Sequence, residues 1–136
     1  MSPEMYAAGP LTGRPGRPRS HAFIAPQPAG WEQVALMEWE LTGQSWTDEH
    51  PHDEYNYVLE GLLLVSCNGQ TVEVPAGSLV RVPAGTTGHY SAPTYARMLA
   101  IYGPNPRGEA SHVHGLSQLS GDTAPEASRG TRSEPV

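Results

Sequence analysis

The chain has 136 residues, 38% of them hydrophobic, and a formal charge of −6 at pH 7. That length suits one domain, and the acidic balance argues against nucleic acid or an anionic membrane surface as the main partner. All eight basic residues are Arg, which excludes chemistry that needs a Lys nucleophile or Schiff base.

Residues 1–20 end in TGRPGRPRS and carry little that can be buried, so they read as a flexible N-terminal arm, its Arg14, Arg17 and Arg19 a solvated charge run with phosphate binding as the alternative. Order is expected from His21, where HAFI forms a short strand before Pro26 and Pro28. Residues 33–41, QVALMEWEL, set Ala35, Met37, Trp39 and Leu41 on one face, the period-2 mark of a strand. Gly43 opens a loop into WTDEHPHDEYNYVLEG, residues 46–61. Tyr55–Leu59 is the next strand, with a turn at Glu60-Gly61. Leu62–Cys67 and Gln70–Val74 then form a hairpin, because Asn68-Gly69 tolerates the positive φ of a type I′ turn. VPAG occurs twice, at residues 74–77 and 82–85, and each copy closes a strand. Strands at Ser78–Val82, His89–Ser91 and Ala96–Tyr102 complete the pattern. From Gly103 to residue 136 the chain returns to Pro, Gly, Ser, Glu and Arg without periodicity and reads as a disordered tail.

The pattern predicts one small all-β barrel at residues 21–102, made of short, closely spaced strands without a helix. So small a core is marginal alone, which favours a homodimer. Cys67 is the single cysteine, so no intramolecular disulfide can form. With no apolar leader and no run of 18 apolar residues, the expected setting is the cytoplasm, without membrane contact.

Chemistry concentrates in residues 46–61. Asp48, His50, His52 and Glu54 share one parity, hence one face of an extended segment. On a straight strand His50 and Glu54 would stand about 13 Å apart, too far for one ion. Pro51 interrupts the ladder and allows a bend that brings them together. Imidazole with carboxylate suits Fe, Mn, Zn or Ni and leaves positions open for a ligand. The expected metal ligands within this stretch are His50, His52 and Glu54, with Asp48 in reserve. A carboxylate not used as a ligand, Glu54 first, would act as general base. Trp46 and Tyr90 are the expected contacts to a small-molecule ligand.

Glu54, six residues and then Gly61, the phrase YVLEG, the Asn-Gly hairpin, and Gly77 followed by Pro83-Ala84-Gly85 resemble the two cupin motifs. The resemblance covers residues 43–102 and implies a double-stranded β-helix. Aligned on Glu54 and Gly61, the usual two His positions of the first motif fall on Asp48 and His50, so Asp48 stands in for the first ligand unless a loop shift lets His52 serve. The His of the second motif falls on Gly88, and His89 comes one residue later. DEYNYVLEG and VPAGTTGHYSAPTYARMLAIYGPNP are similar to the ethanolamine-utilisation cupins of the acetate-kinase-like type, which lack that second-motif His and hold acidic residues in the site. Glu54, Asn56 and His89 fall on their pocket positions, so the resemblance implies His89 as a further metal ligand and Asn56 as a further contact to the small molecule. The resemblance implies a small polar metabolite in the barrel at a divalent metal, with a dioxygenase, isomerase, lyase or cyclase as enzyme classes. The alternatives are a non-catalytic small-molecule binding module and an ethanolamine-utilisation-like accessory protein without metal.

Overall fold

A computed structural model of the chain describes residues 1–119, and among them there is no helix. The strands are β1 (Arg19–Ile24), β2 (Ala35–Leu41), β3 (Gln44–Glu49), β4 (Glu54–Cys67), β5 (Gln70–Pro75), β6 (Leu79–Val82), β7 (Thr87–Ala92), β8 (Ala96–Tyr102) and β9 (His112–Gln118). All pairings are antiparallel. The N-terminal half of β4 pairs with β6 and β8, and β8 leads on through β2 to β1. Its C-terminal half pairs with β5 and β7, and β7 leads on through β3 to β9. The long strand β4 thus belongs to two curled sheets, and the core lies between them. Trp39, Val58, Met98 and Ala100 enter from one sheet, and Trp46, Leu63, Val65 and Tyr90 from the other. The fold is the all-β double-stranded β-helix that the strand pattern and the motifs predict.

Four elements differ from the expected ones. The turn expected at Glu60-Gly61 is a bend within β4, with a register shift between Val58 and Glu60 in the pairing to β8. Gly61 has φ +82°, and a Cβ there would lie 2.1 Å from the Tyr95 carbonyl oxygen. Only glycine passes that carbonyl, so the strand changes sheets at this residue. The loop expected after Gly43 is mostly β3, held between β7 and β9.

The tail expected from Gly103 contains β9, which pairs with β3 along Gln44–Glu49. Main-chain bonds fix β9 and ask no apolar alternation of it, which is why composition alone reads it as coil. The rest of the expected tail, residues 120–136, lies outside the described residues. The N-terminal arm folds back on itself: Thr12 and Ser20 form an antiparallel bridge. Between them Arg17 N–H donates to the Arg14 carbonyl at 3.1 Å, and Gly16 has φ +78°. Pro15 at the second position and Gly16 at the third are the residues a type II turn requires. The Asn68-Gly69 hairpin turn has φ of 51° and 77° at its two residues, as a type I′ turn needs.

Candidate functional site

β3 ends at Glu49 and β4 begins at Glu54, so residues 50–53 form the sharp turn between two strands of different sheets. Two bonds from the second VPAG turn pin it. Gly85 N–H donates to the His50 carbonyl at 2.8 Å, and Ala84 N–H donates to Asp53 Oδ1 at 2.9 Å. Arg81 adds a forked contact to the Asp53 carboxylate. The Ala84 N–H, and then the Arg81 guanidinium, hold the Asp53 carboxyl below its usual range.

The turn swings His50 back between two carboxylates. His50 Nε2 lies 2.9 Å from Glu54 Oε1 and 3.1 Å from Asp48 Oδ2. One ligand atom from each of the three residues falls within 4.8 Å of the others. Each carboxylate is braced by a tryptophan. Trp46 Nε1 donates to Asp48 Oδ2 at 2.7 Å. On the other side Trp39 Nε1 donates to Asn56 Oδ1 at 2.7 Å, and Asn56 Nδ2 donates to Glu54 Oε2 at 2.8 Å. Asn56 is 0% exposed, so it serves Glu54 from inside the core and does not line the cavity.

Burial works against a charged His50, but the Asp48 and Glu54 carboxylates outweigh it and raise the imidazole to about 10. Glu54 Oε1 is nonetheless buried without a well-directed hydrogen bond, and so is the Tyr90 hydroxyl. The His50–Glu54 contact is therefore close but poorly aligned. Burial, then the Glu54 and Asp48 charges, push the Tyr90 and Tyr102 phenols above their usual range.

The structure brings Asp48, His50 and Glu54 together and leaves two expected ligands outside. His52 is buried, its ring parallel to those of His50 and Tyr102 and edge-on to Trp31, and its Nδ1 meets the Asp53 carbonyl at 3.1 Å. It is packing around the turn, and burial lowers its affinity for a proton. His89 sits opposite Thr47 in the β3–β7 register, and its Nδ1 lies 2.6 Å from Thr47 Oγ1. Its neighbours Gly88 and Tyr90 pair with Asp48 and Trp46. The displacement by one residue therefore turns His89 to the face away from the cluster. Burial likewise lowers its proton affinity.

Tyr90, expected at the mouth, is 1% exposed and packs edge-to-face on Trp39 within the core. Trp46 does line a cavity, of about 470 Å³, together with Asp48, His50 and Glu54. Tyr102, Arg14 and Arg17 line it too. Composition alone predicts Arg14 and Arg17 in solvent, and alternation alone makes Tyr102 an ordinary strand residue. Ser111, whose Oγ lies 2.5 Å from His50 Nδ1, comes from the stretch read as tail. The Pro15-Gly16 pair between the two arginines is the local signal that they share a turn.

An acetate kinase, EutQ, of Clostridioides difficile (strain 630) is 33% identical over 69 residues, which are 51% of this chain and 43% of that protein. The chain thus aligns with less than half of that relative's length. The solved structure of the Clostridium difficile EutQ protein superposes with a TM-score of 0.51 at 25% identity, over 55% of each chain. A salicylate 1,2-dioxygenase from Pseudoaminobacter salicylatoxidans shares the fold, with a TM-score of 0.62 at 18% identity over 77% of this chain and 31% of that one. The family model for the cupin domain matches residues 35–102. That match spans half of the chain and runs from β2 through β8, the strands that enclose the cluster, so the chain belongs to the cupin domain family.

Proposed function

We propose that this protein binds a small polar metabolite in the barrel at a divalent cation held by Asp48, His50 and Glu54. One observation carries the reading: three ligand atoms from two strands and the turn between them converge at the floor of a cavity sized for a small molecule. The donor set fits a cation. Two braced carboxylates and one imidazole face one point, and Glu54 Oε1 is buried there without a directed hydrogen bond. Without a metal, the His50 proton balances part of that negative charge. Two carboxylates beside one imidazole suit Mn(II) or Fe(II). A bound cation would act as a Lewis acid toward the metabolite's oxygen atoms. Asp48, His50 and Glu54 would hold it, and Trp46 and Asn56 would keep the two carboxylates oriented.

With all three polar groups as ligands, Glu54 is a ligand first and is not the general base. The acetate kinase activity named for the EutQ relative is no part of this proposal, because the chain aligns with only 43% of that protein. A second copy of the chain is the proposed partner. Tyr57, Leu59, Leu62, Val72 and Leu79 on β4, β5 and β6 leave apolar side chains exposed, and light scattering on the purified protein reads the mass directly.

The test is metal content. Protein purified without a His tag is dialysed against Mn(II) and measured by elemental analysis and by titration calorimetry. About one Mn(II) per chain is expected, with D48N, H50A and E54Q each losing it and H89Q keeping it. Equal Mn(II) content in E54Q and the parent protein would rule the site out.

A further inference from the structure

We infer that the N-terminal hairpin makes the cavity a receptor for a small organic oxyanion, with Arg14 and Arg17 holding its anionic group. The inference rests on the pocket proposed above. It adds the class of ligand and the residues that select it.

The two arginines stand at the ends of the Pro15-Gly16 turn, closed by the Arg17 N–H bond to the Arg14 carbonyl. Proline and a positive-φ glycine favour this turn in the free chain, so little ordering is left for binding to supply. The Thr12–Ser20 bridge carries the turn over the barrel, and both arginines, with Thr12 and Ser20, line the cavity whose floor is Asp48, His50 and Glu54. Arg17 Cζ lies 5.5 Å from the centre of the Trp46 ring, the ring whose Nε1 braces Asp48. A guanidinium on an aromatic face keeps its N–H groups free at the edge. Among the described residues neither Arg14 nor Arg17 pairs with a carboxylate, whereas Arg19, Arg81, Arg97 and Arg107 all do.

The cavity is therefore polarised: fixed cations at the mouth, carboxylates at the floor. The floor alone would repel an anion. A divalent cation bound there reverses that sign, and a ligand with an oxyanion at one end and oxygen donors at the other then meets attraction at both ends. Guanidinium pairs match the planar geometry of carboxylates and the oxygens of phosphoryl groups. Both sources share the required chemistry. Neutral polyols and amines lack it.

The full-length protein, with and without Mn(II), is titrated calorimetrically with succinate, with inorganic phosphate and with the neutral analogue succinamide. The same titrations are run on R14Q/R17Q. One of the two oxyanions is expected to bind about tenfold or more tighter than succinamide, and tighter still with Mn(II) present. Whichever binds identifies the group as carboxylate or phosphoryl. R14Q/R17Q is expected to lose about tenfold or more of that affinity while its Mn(II) affinity stays within about twofold. Oxyanion affinity unchanged in R14Q/R17Q, equal binding of succinamide, or binding of neither oxyanion overturns the inference. If the arginines merely anchor the arm, the double variant lowers the melting temperature and leaves the ratio of succinate to succinamide affinity as it was, which also overturns it. Failure of the parent protein to bind Mn(II) refutes the metal reading instead, and the arginine comparison on metal-free protein still decides the oxyanion inference.

Discussion

Replacing Asn56 by Leu tests whether the core is built to hold Glu54. The side chain is 0% exposed and makes two bonds, from Trp39 Nε1 at 2.7 Å and to Glu54 Oε2 at 2.8 Å. Leucine fills a similar space and offers neither, so the indole N–H and the carboxylate oxygen both lose their partner. An orphaned buried polar group costs about 1–3 kcal/mol, with a charged one toward the top of that range, so the pair amounts to roughly 3–5 kcal/mol. Burying the leucine side chain returns about 1.5–2 kcal/mol. The polar loss wins, and a net destabilisation of about 2–3 kcal/mol is expected, equivalent to a melting point lower by roughly 10 °C. Glu54 also loses its brace, and a lost outer partner lowers metal affinity about tenfold or more. Urea unfolding followed by tryptophan fluorescence gives the first quantity, and Mn(II) titration gives the second. A variant that unfolds within about 1 kcal/mol of the parent and binds Mn(II) equally well would refute the reasoning.

Three other outcomes are expected. In G61A the new Cβ meets the Tyr95 carbonyl at 2.1 Å at a φ of +82°; that carbonyl already accepts from Leu62 N–H at 3.1 Å, so the cost exceeds about 3 kcal/mol in chemical unfolding. His50 is raised from 6.5 to about 10, so in metal-free protein its contribution is complete below pH 6.5 and is lost as pH rises through about 10. A metal must displace that proton, so Mn(II) affinity rises with pH between 6 and 9 and about one proton is released per ion, measured by calorimetry in buffers of different ionisation enthalpy. Asp53 is depressed below 3.8, first by the Ala84 N–H and then by Arg81. Its contribution is therefore present above pH 3.8 and lost as pH falls through the lower folded value, so D53N is less stable than the parent at pH 7, by under about 1 kcal/mol given the exposed pair, and the gap narrows in acid melts.

Alternating apolar residues made most of the barrel legible, because strands with one buried face must show period 2. Trp39 and Leu41 in β2, and the positive φ values at Asn68 and Gly69, follow directly from local chemistry. The elements without that signature are the ones that local sequence leaves open. β3 is buried on both faces from Ser45 to Asp48, so its polar Ser, Thr and Asp read as loop. β9 has exposed Val113 and a glycine at 115 and is specified by its partner's edge. Gly61 satisfies the demands of a turn and of a bend equally, and only Tyr95, far along the chain, distinguishes them. The cluster was half legible. Parity placed Asp48, His50 and Glu54 on one side, but the bend that joins them depends on Ala84 and Gly85. The opposite facing of His89 is a matter of register with β3, and the cavity role of Arg14 and Arg17 depends on where the Thr12–Ser20 bridge carries their turn, which no local pattern encodes.

The position of β9 bears on how this protein is handled as a gene product. The family match ends at residue 102, so a chain shortened to that boundary would look like a complete domain on paper. It would leave the Gln44–Glu49 strand with one side of its backbone bare. A shortening that also removed everything before residue 35 would do the same to Ala35–Leu41 at the far side of the other sheet. Two uncovered strands with free N–H and C=O groups invite pairing between molecules, and one of them carries Trp46 and Asp48. Such a fragment is expected to associate through those rims and to misreport both oligomeric state and metal content, so both are worth measuring only on a chain that keeps β1 and β9.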